Sequence, residues 1–416
     1  MKNGSKARVS GEADVVRPAA STAGAGQVAV VFQGGGALGA FQAGVYHALH
    51  EAGVEPDWII GTSIGAINAA LIVGNEPSNR IAALQEFWGR MASKSAWAGW
   101  PMTEQMAQSA AYFSTLTNGI ASFFTPNPFA FLGPHIHLGA EQAGYYSTAA
   151  LEKTLTELVD FSLCSRNKPR LTVGAAHVRT SQMRYFDSRE TEIGVKHILA
   201  SGALPPAFPA VRIDGELYWD GGILSNTPAE AIFDDNPRRN SLVFAVHMWN
   251  PIGPEPETIG EVLHRQKDIQ YSSRVATHVA RQAQIHRMRH VIRELAQHVP
   301  EPLRSREDVR ALTAYGCLTR MHVVRLLWPG LANEDHTKDV DFSPSGIRSR
   351  WQAGYEKAMR AIELAPWRDE VDPLEGVFLH ELAEMGEAPA IAGYAQNTNH
   401  ATVELSNCEA IDRARR

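Results

Sequence analysis

The sequence predicts an α/β fold built on a mainly parallel sheet. Short apolar runs at 28–32, 58–60, 171–176 and 242–248 alternate with longer stretches of helical spacing, the pattern of successive βαβ units. Two glycine-rich segments, Gln33-Gly34-Gly35-Gly36-Ala37-Leu38-Gly39 and Gly61-Thr62-Ser63-Ile64-Gly65, each stand between one such run and the helical stretch after it. In an open parallel sheet those places are the carboxyl ends of strands, where functional groups collect.

The first strand leads through its glycines into a helix over 40–52, and the second into an alanine-rich helix over 66–73. Ile81, Leu84, Phe87, Trp88 and Met91 fall at helical spacing within 80–91, which predicts a core-facing helix with no chemistry of its own. Regular patterning fades between 93 and 146. There Trp97, Trp100, Phe113, Phe123, Phe124, Phe129 and Phe131 gather among Pro126, Pro128 and Pro134. Two readings stand side by side: a cap that lines a pocket over the strand ends, or a local aromatic core. Past 250, a helical pattern over 259–298 holds seven Lys or Arg between His264 and Glu294. These are spread around the helix, as on a solvated face packed against the core, although such a charge density also suits an anionic membrane surface. A strand-like run at 321–328 and an amphipathic helix through Ile347, Trp351, Tyr355, Met359 and Ile362 are expected to extend the sheet and then cover it. The expected organisation is a flexible tail at 1–26, a main α/β domain at 27–250 with an insert at 93–146, and a C-terminal region at 251–416 packed on the core.

With 416 residues, 44% hydrophobic and 20% charged, the chain has an ordinary globular makeup, and a formal charge of −6 gives no reason to expect nucleic acid. The longest apolar stretch, 59–74, is interrupted by Thr62, Ser63 and Asn68 and is too short to cross a bilayer. Cys164, Cys317 and Cys408 are odd in number and far apart, which predicts a reducing compartment without a disulfide frame or a metal cage. The expected location is the cytoplasm, with peripheral contact at a lipid surface allowed. His286 and His290 stand four apart, as zinc ligands can, but Arg287 follows His286 where a metalloprotease motif needs glutamate. Neither that pair nor His135-Ile136-His137 predicts a metal.

Three segments carry chemistry. Ser63, between Gly61 and Gly65, has the strand before it and the helix after it that a nucleophile elbow requires, with the helix dipole turned toward the hydroxyl. Gly34, Gly36 and Gly39 match the dinucleotide pattern G-x-G-x-x-G. The ribose-binding acid, however, belongs at the carboxyl end of the second strand, and here Glu55 and Asp57 precede that strand. A nest of backbone donors fits an oxyanion hole equally well, and a plain tight turn remains. Downstream, Tyr218-Trp219-Asp220-Gly221-Gly222 is a short aromatic strand ending in a carboxylate and two glycines, which alone would read as an Asp-Gly turn.

In this order, with Ala200-Ser201-Gly202-Ala203-Leu204-Pro205-Pro206-Ala207-Phe208-Pro209 and Asn226-Thr227-Pro228 around the acidic motif, the three segments resemble the patatin-like phospholipase family from about 28 to about 248. The resemblance implies a three-layer α/β/α fold and a serine lipid acyl hydrolase. It also implies a dyad of Ser63 and Asp220, flanked by Gly221 and Gly222, and an oxyanion hole from the backbone of Gly34, Gly35 and Gly36. No cofactor is expected, since no carboxylate cluster for calcium is evident. The expected partner is a lipid or acyl-ester substrate. Ala37 stands where many members carry a basic residue, which favours acyl-ester cleavage in general over a preference for anionic head groups. Other acyl esters (neutral lipid, thioester or polyester) and a non-catalytic lipid-binding role are the alternatives. An aspartate near 3.9 is a weak base, so the site must desolvate it. A triad through His247, which follows Asp220 at a strand end, is the rival to the dyad.

Overall fold

The computed structural model describes residues 22, 24–92, 104–166, 168–331, 334–372 and 374–382. All but a few residues of the tail expected at 1–26, together with Trp97, Trp100 and Cys408, lie outside them. The sheet belongs to a structural unit that runs to His380.

Among the described residues eleven strands follow in chain order: β1 (Gln27–Phe32), β2 (Trp58–Thr62), β3 (Thr125–Pro126), β4 (Tyr146–Ser147), β5 (Arg170–His177), β6 (Met183–Asp187), β7 (Val211–Ile213), β8 (Glu216–Asp220), β9 (Ser241–His247), β10 (Met321–Leu327) and β11 (Val377–Glu381). Nine of them form one sheet along the path β11-β10-β9-β1-β2-β5-β8-β7, with β6 also paired to β5. β10, β9, β1, β2 and β5 are parallel. β6, β7 and β8 enter antiparallel. The chain leaves β1 toward β2 on one side and receives β9 on the other, so the glycine loop after β1 sits at the point where strand order reverses.

Parallel strands buried on both faces read as continuous apolar runs, and that is why these were legible. Ala29, Val31, Trp58, Ile60, Val243 and Ala245 pack with Ile232, Phe233 and Val279 from the helices Glu230–Phe233 and Ile259–Gln297. Phe244, between Val243 and Ala245, points the other way and meets Trp367 with ring centroids 5.8 Å apart. On that second face α1 (Gly39–Glu51) sets Phe41 against Trp328, 5.4 Å between centroids. Helices therefore cover both faces. α2 (Ile64–Val73) follows β2, and α3 (Arg80–Met91) buries Leu84, Phe87, Trp88 and Met91 as its spacing predicts.

The helix Ile259–Gln297 starts with a reciprocal cap, Thr258 accepting from the Glu261 amide at 3.2 Å while Glu261 accepts from the Thr258 amide at 2.9 Å. Its basic residues do not form one face. Arg265 donates to the carbonyls of Asn250 and Pro251, and Lys267 reaches Asp339, whereas Arg281 and Arg287 are exposed. In the insert both readings find material. Phe123 and Phe124 are buried against Phe208, Phe342 and Tyr146, while Phe113 and Phe129 are 66% and 58% exposed. Among the described residues no helix is long and apolar enough to cross a membrane.

Candidate active site

Register alone brings Ser63 and Asp220 together. β2 pairs with one edge of β5 as far as Thr62 opposite Gly174. β6 occupies the other edge of β5 from Thr172 to Ala176. β8, paired to β5 at Ala175–His177, must therefore run along the edge that β2 has just left, and it ends with Asp220 opposite Ala175. The chain turning out of β2 and the chain running into its last β8 residue thus meet end to end.

The turn itself is an elbow. Ser63 holds φ +57° and ψ −128°, a strained conformation for a residue with a side chain, between the last residue of β2 and the first of α2. Its amide donates to the Ser201 hydroxyl at 2.9 Å and to the Ser201 carbonyl at 3.1 Å, and the same hydroxyl donates to the Gly174 carbonyl at 2.6 Å. Gly65 lets α2 start against β1, since a Cβ there would stand 2.5 Å from the Phe32 carbonyl oxygen.

Asp220 is buried, 2% exposed. The Gly222 amide donates to its Oδ1 at 2.7 Å, and the Ser63 side chain is near enough to pull the carboxyl's pKa down. Burial pushes the carboxyl up to about 7, against the lowering pull of Ser63 and Gly222. An ordinary aspartate is a weak base toward a serine hydroxyl, and desolvation of this kind makes a carboxylate more basic. Gly221 follows β8 directly, tight against the Gly174 carbonyl of β5.

The glycine loop faces this pair: a β-carbon on Gly34 would stand 3.1 Å from Ser63 Cβ. Its three amides are not equivalent. That of Gly34 is committed to the Asn226 carbonyl at 3.1 Å, so it differs from the free donor the resemblance implies. Among the described residues no main-chain acceptor takes the Gly35 or Gly36 amide. Ala37 is fully buried.

Three further polar residues build the site. Asn226 returns a second bond from its Nδ2 to the Gly34 carbonyl at 3.1 Å. Buried Gln33 binds Thr227 Oγ1 at 2.8 Å and the Tyr271 carbonyl at 3.2 Å, and its own carbonyl accepts from Gln42 at 2.6 Å. A buried amide network of this kind fixes a loop only when every member is satisfied. Ser201 and Asn226 lie inside the segments that carry the family resemblance, and that was their only signal. Gln33 had none beyond its place before the glycines. A cavity beside Asp220 is lined by Gly222, Asn226, Glu230, Gln270 and Tyr271.

The carboxylates that a nucleotide reading would need are structural. Asp57 accepts from the Val28 amide at 2.8 Å, and Glu55 pairs with Arg80 at 2.6 Å. His286 sits against the Phe233 ring at 6.2 Å, and His290 Nε2 meets the Thr319 carbonyl at 2.9 Å. His247 ends β9, with β1 between it and β2. Burial, with Arg325 nearby, holds its imidazole well below the ordinary value. We expect His247→Ala to keep kcat within about tenfold, whereas a triad base would lose several orders of magnitude; steady-state ester hydrolysis decides between them.

Residues 30–233 match the family described as patatin-like phospholipase, and residues 269–374 match a second one described as patatin phospholipase. The chain belongs to the patatin-like phospholipase family of lipid acyl hydrolases, with a patatin-like domain followed by that C-terminal region. It is similar to lysophospholipase nte1 of Aspergillus terreus, 27% identical over an alignment of 261 positions that covers 57% of this chain and 14% of the fungal protein. It is also similar to patatin-like phospholipase domain-containing protein 7 of Rattus norvegicus, 28% identical over 203 residues, 49% of this chain and 12% of the rat protein. The chain thus matches only about one seventh of the length of these relatives. Among solved structures, VipD from Legionella pneumophila aligns with 81% of this chain and 67% of its own at 15% identity and a TM-score of 0.35.

Proposed function

We propose that the protein hydrolyses carboxylic esters of phospholipid or lysophospholipid type through an acyl-Ser63 intermediate, with Asp220 as the only base. The observation that carries this reading is the buried Asp220 carboxyl, set beside Ser63 by strand register and raised by burial to about 7. Ser63 Oγ attacks the ester carbonyl carbon while its proton passes to Asp220, and the carbonyl electrons move onto oxygen. That oxyanion faces the amides of Gly35 and Gly36 and the amino end of α2. Collapse expels the alcohol, which takes the proton from Asp220. A water then attacks the acyl carbon with Asp220 again accepting the proton, and the free acid leaves as Ser63 is regenerated.

The relatives named lysophospholipase support a phospholipid-like acyl donor. Peripheral contact with a lipid surface is part of the same proposal, because the insert leaves Phe113, Phe129, Leu132 and Ile136 exposed. We place the protein in the cytoplasm on the strength of its free Cys164 and Cys317 thiols. The test is labelling with a fluorophosphonate ester followed by peptide mapping. Adduct at Ser63, absent from Ser63→Ala, is the expected result; a wild-type protein that neither reacts at Ser63 nor hydrolyses dye esters of any chain length would end the proposal.

A further inference from the structure

We propose that the region beyond residue 250 is a working part of the oxyanion site, and that Lys267 and Asp339 are positioning residues for the Gly35 and Gly36 amides. This inference rests on the acyl-enzyme reading above. Gly36 has φ +56° and opens the short turn Gly36–Leu38. The Asp339 carbonyl lies flush on that turn: it accepts from the Ala37 amide at 2.8 Å, and any side chain at position 36 would run into it. Because peptide planes are rigid, the direction of the Ala37 N–H fixes that of the Gly36 carbonyl, and with it the tilt of the turn.

The Asp339 carbonyl is itself held. Lys267 Nζ donates to Asp339 Oδ1 at 2.6 Å and to the His336 carbonyl at 2.7 Å. The neighbouring residues repeat the pairing with the signs exchanged, Lys338 Nζ donating to Asp268 Oδ1 at 2.8 Å. His264 meets Lys338 at 2.9 Å and Asp268 at 3.2 Å. Lys-Asp at 267–268 against Lys-Asp at 338–339 is a two-by-two lock, and sliding either partner by one residue would set like charges together. One end of the lock touches the glycine loop directly and the other reaches it through Trp249. Asp339 holds it at Ala37, while Lys338 lies 5.1 Å over the Trp249 ring, whose Nε1 donates to the Gly34 carbonyl at 2.8 Å. A loop gripped at residues 34 and 37 has its middle amides aimed from both sides.

Lys267→Met, Asp339→Ala and Lys267→Arg are compared with wild type in ester hydrolysis, in the rate of Ser63 labelling by the fluorophosphonate, and in thermal melting. The first two are expected to lose about 10- to 100-fold in kcat and in labelling rate, the penalty of misaimed oxyanion donors, with KM within about threefold. Lys267→Arg is expected to recover most of the loss. Should Lys267→Met fail to fold, Asp339→Ala decides alone. A wild type that labels and turns over while Asp339→Ala keeps its kcat within about twofold, or loses only in KM, overturns the clamp and leaves the acyl-enzyme reading standing. A wild type that fails to label at Ser63 removes both.

Discussion

Asp220→Asn is expected to lower kcat by about four orders of magnitude without moving the loop around it, because asparagine keeps an oxygen for the Gly222 amide but cannot take the Ser63 proton. The pH dependence of the wild type identifies the same group. The base form of Asp220 is the active one and its carboxyl titrates near 7, so kcat/KM should climb about tenfold per pH unit below 7 and level off above it. Residual turnover in the variant should lose that inflection. A serine hydrolase that used a histidine instead would also show an inflection near neutrality, so the profile gains its meaning from comparison: His247→Ala must keep it and Asp220→Asn must not. Turnover of Asp220→Asn within tenfold of wild type, measured on an activated ester from pH 5 to 9, would exclude aspartate as the base.

How legible this site was depends on the range of the interactions that make it. The two glycine segments carry local information, since only glycine relieves the crowding of Gly65 against β1, and only a strand-to-helix turn suits Ser63. Both helices and the five parallel strands were readable for a related reason: burial on two faces leaves an apolar run that needs no partner to be recognised. β6 and β7 escaped because they are short, antiparallel and half exposed, and an irregular pattern of five or three residues does not stand out from loop. β8 was visible through its aromatics, but nothing local says that it continues the edge of β5 that β2 vacates. The polar braces are wholly tertiary. Gln33 meets Thr227 across 194 residues, and Lys267 meets Asp339 across 72. A lone glutamine or lysine carries no periodicity, so its role exists only once the fold has formed. For the insert, the sequence listed aromatic side chains without saying which of them would find neighbours. Phe123 and Phe124 become buried among other rings, whereas Phe113 and Phe129 stay mostly exposed.

The basicity of Asp220 has a cost that should be measurable as folding stability. In the unfolded chain an aspartate titrates near 3.9, and in the folded protein this one titrates near 7. Between those values the folded state holds a proton that the unfolded state has given up, so raising the pH removes stability across that window, and above 7 the loss is complete and constant. The full gap corresponds to a penalty on the order of 4 kcal/mol at pH 8, for a carboxylate kept in a site 2% exposed. Asparagine at 220 never ionises. Asp220→Asn should therefore match wild type near pH 4 and exceed it progressively toward pH 8, as read from urea unfolding midpoints at each pH. Equal pH dependence in the two proteins would mean that the carboxyl is ordinary in the folded state, and an ordinary carboxyl cannot serve as the base. The stability lost as pH rises toward 7 and the rate gained through the same pH range are two readings of one desolvated group, which is the trade expected where a single aspartate must do without a histidine.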